Sequence, residues 1–242
     1  MNLLDRTALV TGGAVRLGAS IVRALCRAGA RVAVHHRRSA AEAGALCRDI
    51  RAAGGVAVPV AADLADGGAG AESLIAAAAA AVGPLDILVN NAAVFHKDTL
   101  DTLDFAALEA EFQVNLFAPL LLMKAFAAQG RPGAIVNLLD RRITGLDPSA
   151  VPYELSKKAL AEATRLAAIH WAPRIRVNGV APGPALPPPG EGENYLREKA
   201  GPIPLGRPCE PDQIAEAVLY LLSADSVTGQ VIYVDGGQHL VL

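Results

Sequence analysis

The feature that most constrains this chain is an alternation. Short runs rich in Val, Ile and Ala alternate with longer stretches of helical pattern along almost all of its 242 residues. The runs fall at 7–10 (TALV), 31–36 (RVAVHH), 56–60 (VAVPV), 85–90 (LDILVN), 133–139 (GAIVNLL), 174–180 (RIRVNGV) and 231–234 (VIYV). The helical stretches fall at 18–30, 40–53, 69–82, 104–128, 153–170 and 211–223. Strands separated by helices pair in parallel, and both faces of such a sheet are covered. The chain is therefore read as one α/β domain. Gly29 is placed as the C′ residue of the first helix. Ser39 with Glu42 three residues on predicts a capping box for the second. Pro119, in the middle of 104–128, predicts a kink or break there. Residues 182–194 (PGPALPPPGEGEN) are too rich in Pro and Gly for regular structure.

Composition narrows the function classes. Apolar residues are 52% and charged residues 19%, enough for a core and too few charges for disorder. The net charge is −2 with no long basic run, which argues against nucleic acid as a partner. Cys26, Cys47 and Cys209 are odd in number and irregularly spaced, so free thiols are expected, with neither a disulfide framework nor a metal site. That fits a reducing, cytoplasmic setting. The N-terminus shows no signal-peptide pattern. The longest apolar run, 75–82, is too short to cross a bilayer, so no membrane span is expected.

The first strand runs into LVTGGAVRLGAS, which opens the first helix. A glycine-rich strand-to-helix turn lets backbone N–H groups approach a phosphate at the positive end of a helix dipole. This makes the fold a doubly wound Rossmann sheet of about seven strands. Dinucleotide folds often carry an acid at the end of the second strand for the ribose hydroxyls. From Arg31 to Ala41 there is none; Arg37, Arg38 and Ser39 stand there instead and suit a 2′-phosphate. NADPH is thus expected over NADH. Tyr153 and Lys157 lie i and i+4 on one helix face. A neighbouring ammonium is expected to favour the phenolate and lower the tyrosine pKa.

These segments resemble the short-chain dehydrogenase/reductase family. The resemblance is carried by the loop at 11–18, NNA at 90–92, Asn115 in FQVNLFAP, Tyr153 and Lys157, VNGVAPG at 177–183 and TGQVIYVDGG at 228–237. It implies catalytic roles for Asn115, Tyr153 and Lys157. It also implies cofactor contacts from Gly12, Arg16, Leu17, Gly18, His36, Asn91, Ala92, Tyr153, Lys157, Pro182 and Gly183, with Asp63 and Leu64 at the adenine. Arg16 replaces a glycine of the family loop; a helix's first turn has negative φ, so Gly is not needed there, and the guanidinium is free to reach over the phosphates.

Thirteen residues before Tyr153 the family usually carries a serine that donates to the carbonyl being reduced; here it is Asp140. An ionised Asp cannot donate and repels a developing oxyanion. Either the site is damaged or the substrate wants an acid, as a basic ring nitrogen does. The second alternative has a parallel in the pteridine and dihydromonapterin reductases, which Arg16, Asp140, Phe95 in NNAAVF and the tail DGGQHLVL resemble. That branch implies an NADPH-dependent reduction of a C=N bond in a pterin or folate, with Asp140, Tyr153 and Phe95 at the substrate. It also implies a lid at about 182–200 and a homotetramer through 104–128 and 153–170. Ala93 and Ala185 depart from the branch pattern, where serines stand. Arg141 and Arg142 are read as facing solvent, with neutralising Asp140 or steering an anion as alternatives. The rival functions are a carbonyl reductase of the same fold, for a 3-oxoacyl or sugar substrate, and a non-catalytic NADP(H)-binding protein.

Overall fold

The computed structural model describes residues 1–188, 190–192 and 194–241. Seven parallel strands form one sheet in the order β3-β2-β1-β4-β5-β6-β7. They are β1 (Thr7–Val10), β2 (Arg31–His36), β3 (Val56–Ala61), β4 (Ile87–Asn90), β5 (Gly133–Leu138), β6 (Ile175–Pro182) and β7 (Val231–Val234). The helices are α1 (Arg16–Arg27), α2 (Ala40–Ala52), α3 (Gly67–Val82), α4 (Phe105–Phe112), α5 (Ala118–Ala127), α6 (Val151–Trp171), α7 (Asn194–Lys199) and α8 (Pro211–Ser223).

Pleating decides which helix each strand residue meets. Ala8 and Val10 of β1, Val32 and Val34 of β2, and Ile87 and Val89 of β4 share a core with α1, α2 and α8. Leu9, Ala33 and Leu88, one residue out of phase, face α3 and α5 in a second core. Leu9 sits beside Ala33 on one side and Leu88 on the other, all fully buried. Cutting Leu88 back to Ala would cost about 2–5 kcal/mol, because neighbours on three sides cannot collapse into the gap. The strand order reverses between β1 and β4. The crevice that opens at their C-terminal ends is where a doubly wound sheet places its ligand.

Gly29 follows the α1 C-cap at φ +88, and Ala30 N–H bonds back to Leu25 O, as expected of a C′ glycine. The capping box predicted at Ser39 does not form. Ser39 is the α2 N-cap, but at φ −89, ψ 50 it is not extended, and its hydroxyl makes no cap bond. The break in 104–128 precedes Pro119: one π turn, Gln113–Phe117, joins α4 to α5. Proline has no N–H for the Asn115 carbonyl four residues back, so the ladder widens there. The continuous rod Phe105–Ala127 is long and apolar enough to pass for a membrane span, with mean hydropathy 1.3, contrary to the expectation from run length alone. Part of it packs into the core: Leu122, Met123 and Phe126 lie under the sheet, and Glu111 and Asn115 are buried along it.

Candidate active site

The loop after β1 is held by bonds that each use a main-chain group on at least one side. Thr11 N–H donates to Val89 O at 3.0 Å, and the Thr11 hydroxyl accepts from the N–H groups of Asn91 and Ala92 at 2.9 and 3.0 Å. The Asn91 amide donates to Thr11 O and Gly12 O. Gly12 has φ +59, and a Cβ at Gly18 would lie 2.1 Å from Gly12 O, so neither position tolerates a side chain. Arg16 corrects the sequence reading: its φ is +54. Val15 is extended, and the chain reverses into α1 through a left-handed residue, where glycine is favoured and arginine costs about 1–2 kcal/mol. The Arg16 guanidinium crosses the cleft and donates to Pro187 O at 2.8 Å and Leu186 O at 3.4 Å.

His35, which sequence reasoning passed over, also grips this loop. Its Nδ1 accepts from Gly12 N–H at 3.0 Å, and its main-chain carbonyl accepts from Gly13 N–H at 2.9 Å. With Nδ1 an acceptor, Nε2 carries the proton and donates to Ala62 O at 3.2 Å. Burial pushes the imidazole down to about 4, which keeps it neutral and holds this tautomer. Only the neighbouring register of β1 and β2 could have revealed this role.

At the other end of the cleft, Tyr153 Oη donates to Asp140 Oδ2 at 3.0 Å. The phenol is pushed well above its ordinary range by burial, then by the charge and hydrogen bond of Asp140; Arg142 opposes. This overturns the expectation that Lys157 lowers it. Lys157 lies 5.8 Å from the Tyr153 ring centre, and its ammonium donates to Leu138 O at 2.7 Å, away from the phenol oxygen. Burial lowers Lys157 itself to about 8, while Asp140 and Glu111 pull it upward. Asp140 lies just beyond β5 and caps the short turn Arg141–Ile143, accepting from Arg142 N–H at 2.8 Å.

Arg142 does not simply face solvent. Its Nε donates to Asp147 at 2.9 Å, and its Nη1 lies 3.3 Å from Asp140 Oδ2. Phe95 meets Tyr153 edge-on, with ring centres 4.8 Å apart. Asn115 is fully buried; its amide donates to Val94 O at 2.9 Å and Glu111 at 2.6 Å, and its Oδ1 accepts from Val94 N–H. Glu111, also unforeseen, is fully buried and takes both the main-chain N–H and Nδ1 of His96.

A cavity of about 510 Å³ joins the two ends. Gly12, Arg16, Leu17, Gly18, Arg37, Arg38, Asp63, Leu64, Asn91, Ala92, Asp140, Tyr153, Lys157, Pro182 and Gly183 all line it, as do His35 and Ala93. His36, Ser39, Phe95 and Asn115 do not. Asn115 lies behind the wall, and Phe95 stands half-exposed beside it. His36 is buried with Nδ1 lacking a partner. Arg37 pairs with Asp63 at 3.5 Å, and Asp63 also caps the turn Leu64–Asp66 through Ala65 N–H. Among the described residues no cluster of His, Cys, Asp or Glu could hold a metal ion.

Comparison with known proteins agrees with this geometry. The family described as Enoyl-(Acyl carrier protein) reductase matches residues 13–239. L-xylulose reductase of Bos taurus is 37% identical, over 98% of each chain. Pteridine reductase 1 of Leishmania tarentolae is 33% identical, over 96% of each chain. FolM Alternative dihydrofolate reductase 1 from Brucella canis, solved with NADP, superposes with TM-score 0.93 at 38% identity, over 99% of this chain and 96% of that one. With its glycine-rich turn at the switch point and its Tyr153–Lys157 pair lining the same cleft, the chain belongs to the short-chain dehydrogenase/reductase family.

Proposed function

We propose that the chain reduces a C=N bond of a dihydropterin or dihydrofolate, with NADPH as the reductant. The observation that carries this reading is the 3.0 Å contact between Asp140 and the Tyr153 hydroxyl, where a ketone reductase of this family places a serine donor. The likeness to pteridine reductase 1 and to the Brucella canis FolM structure supports it.

The residues present fit the cofactor. Gly12 and Gly18 keep the turn clear of side chains, and exposed Arg37 and Arg38 offer two forks for a 2′-phosphate where an acid would repel it. Ser39, whose hydroxyl makes no cap bond, and His36, with its unpartnered Nδ1, flank them. Asp63 and Leu64 hold the adenine end. Leu17, Asn91, Ala92, Pro182 and Gly183 line the path to the nicotinamide, and Arg16 spans the phosphates. Bound NADPH supplies the hydride. Lys157 holds the ribose hydroxyls. Tyr153 starts protonated, as its raised pKa requires, and passes its proton to the ring nitrogen beside the reduced carbon. Asp140 engages the substrate's nitrogen edge, Phe95 stacks on its ring, and Asn115 braces the wall behind. Of the lid at about 182–200, residues 182–188, 190–192 and 194–200 close over the substrate, while Pro189 and Glu193 lie outside the described residues. Exposed Phe117, Leu120, Leu155, Leu166 and Ile169 on the α4–α5 rod and α6 form the contact of a homotetramer, which light scattering checks.

The test is a panel of dihydrobiopterin, dihydromonapterin and dihydrofolate with NADPH. Oxidation of NADPH that Asp140→Ala removes is the expected result; turnover of ketones with no pterin activity sinks the reading. The likeness to L-xylulose reductase favours a second reading, reduction of a sugar carbonyl. Asp140→Ser separates the two, since it improves a carbonyl reductase and damages a pterin reductase.

A further inference from the structure

Four side chains at the acid end close into a ring. Tyr153 donates to Asp140 Oδ2 at 3.0 Å. Arg142 meets the same carboxylate twice, its guanidinium 3.3 Å from Oδ2 and its main-chain N–H 2.8 Å from Oδ1. The guanidinium carbon lies 5.6 Å from the centre of the Phe95 ring. Phe95 returns to Tyr153 edge-on at 4.8 Å. Arg142 is also tied outward. Its Nε donates to Asp147 Oδ2 at 2.9 Å, and Asp147 N–H donates to the Glu154 carboxylate, next to Tyr153 on α6, at 2.6 Å. Glu154 is fixed in turn by Lys158 at 2.6 Å. Arg142 thus spends its fork on two carboxylates and an aromatic ring. A planar guanidinium manages all three together; an ammonium, a point charge, does not.

We propose that Arg142 is a positioning residue for the reduction: it holds Asp140 against the Tyr153 hydroxyl and holds the Phe95 ring, so that the proton-donating pair and the stacking platform are set as one unit. The proposal rests on the pterin reading for what Asp140 and Phe95 do. It gives Arg142 no direct contact with substrate. Its effect passes through Asp140 in kcat and through Phe95 in KM.

Two variants test it. Arg142→Gln keeps N–H donors without the charge, and Arg142→Lys keeps the charge without the fork. Each is expected to lower kcat/KM for the best pterin about 10- to 100-fold, the range of a lost hydrogen bond to a charged group. The loss should be shared between a lower kcat and a higher KM. In an Asp140→Asn background the kcat part of that loss is expected to fall below about threefold, because groups that act as a unit are not additive, while the KM part that passes through Phe95 remains. A residue that merely steadied the fold would lower the melting temperature, leave kcat alone and cost the same in both backgrounds. Unchanged kcat, or equal kcat losses in the two backgrounds, overturns the proposal. If Arg142→Gln does not fold, Arg142→Lys decides by the same comparison. Failure of the pterin reading shows separately, as wild-type protein that reduces ketones but no pterin. The two-background comparison is then made on the ketone, where non-additive loss supports the clamp and additive loss overturns it.

Discussion

The two ends of the cleft are built by different means. At the glycine-rich end every bond has a main-chain group on at least one side: Thr11, Gly12 and Gly13 meet Val89, Asn91 and both the backbone and ring of His35. At the acid end, side-chain charges do the holding: Arg142 between Asp140 and Asp147, and Lys158 on Glu154. The first end depends on where strands stop and on glycine's freedom, and it discriminates little among side chains elsewhere. The second depends on which charged groups share a short loop, so single substitutions there retune chemistry without moving the sheet. A cofactor needs the same cradle for every substrate; a substrate-specific acid does not.

Several changes would break or sharpen that contrast. The largest effect is expected at the acid end: Tyr153→Phe keeps the ring and removes the proton, lowering kcat about 100- to 10,000-fold in steady-state assays. At the glycine end, Gly18→Ala forces a Cβ to within 2.1 Å of Gly12 O. The strain of about 1–3 kcal/mol should weaken NADPH binding by up to about 100-fold in titration. Arg38→Ala is smaller still. It should cost NADPH affinity about tenfold and leave NADH affinity nearly unchanged, since only one cofactor carries the phosphate; equal losses for both would mean Arg38 merely lines the turn.

The last effect is on stability and separates the ends by pH. His35 has a folded-state value of about 4 against an ordinary 6.5, so the unfolded chain binds the extra proton between those values. Folding stability therefore falls as pH drops from about 6.5 toward about 4. His35→Gln, which still accepts from Gly12 and donates to Ala62, should flatten that slope in melting curves recorded across the same range. An unchanged slope would show that another group titrates there.

Much of the fold was legible because it follows from periodicity. β1, β2, β7 and α8 match the ranges read from the sequence, since strand and helix lengths are set by local pattern between turn residues. The glycine-rich turn was legible for the same reason. What the pattern misjudged were conformations chosen by neighbours. Arg16 is left-handed because the chain must turn between Val15 and a helix already docked on the sheet. Ser39 leaves its cap bond unmade, and the π turn before Pro119 places Asn115 against Val94. Arg142 and Glu111 were invisible for another reason. A charged residue's partner is a matter of distance in space, and Asp147 and His96 become partners only once the loops at 141–150 and 91–98 are folded back on α6 and α4.

The sequence by itself determined a parallel, doubly wound sheet, a phosphate-compatible turn at its switch point, and Asp140, Tyr153 and Lys157 at one end of that cleft. The sheet and the turn follow from hydrophobic period and glycine placement, both local; the placing of Asp140 with Tyr153 and Lys157 follows from the family resemblance that their spacing carries. Tertiary structure alone decided the electrostatics. Burial turned Tyr153 into a firmly protonated phenol aimed at Asp140, and it lowered Lys157 to about 8 while aiming it at a backbone carbonyl. Spacing along a helix brings two side chains to one face, but the pKa of each depends on the water excluded and the charges gathered around it, and those come from the rest of the chain.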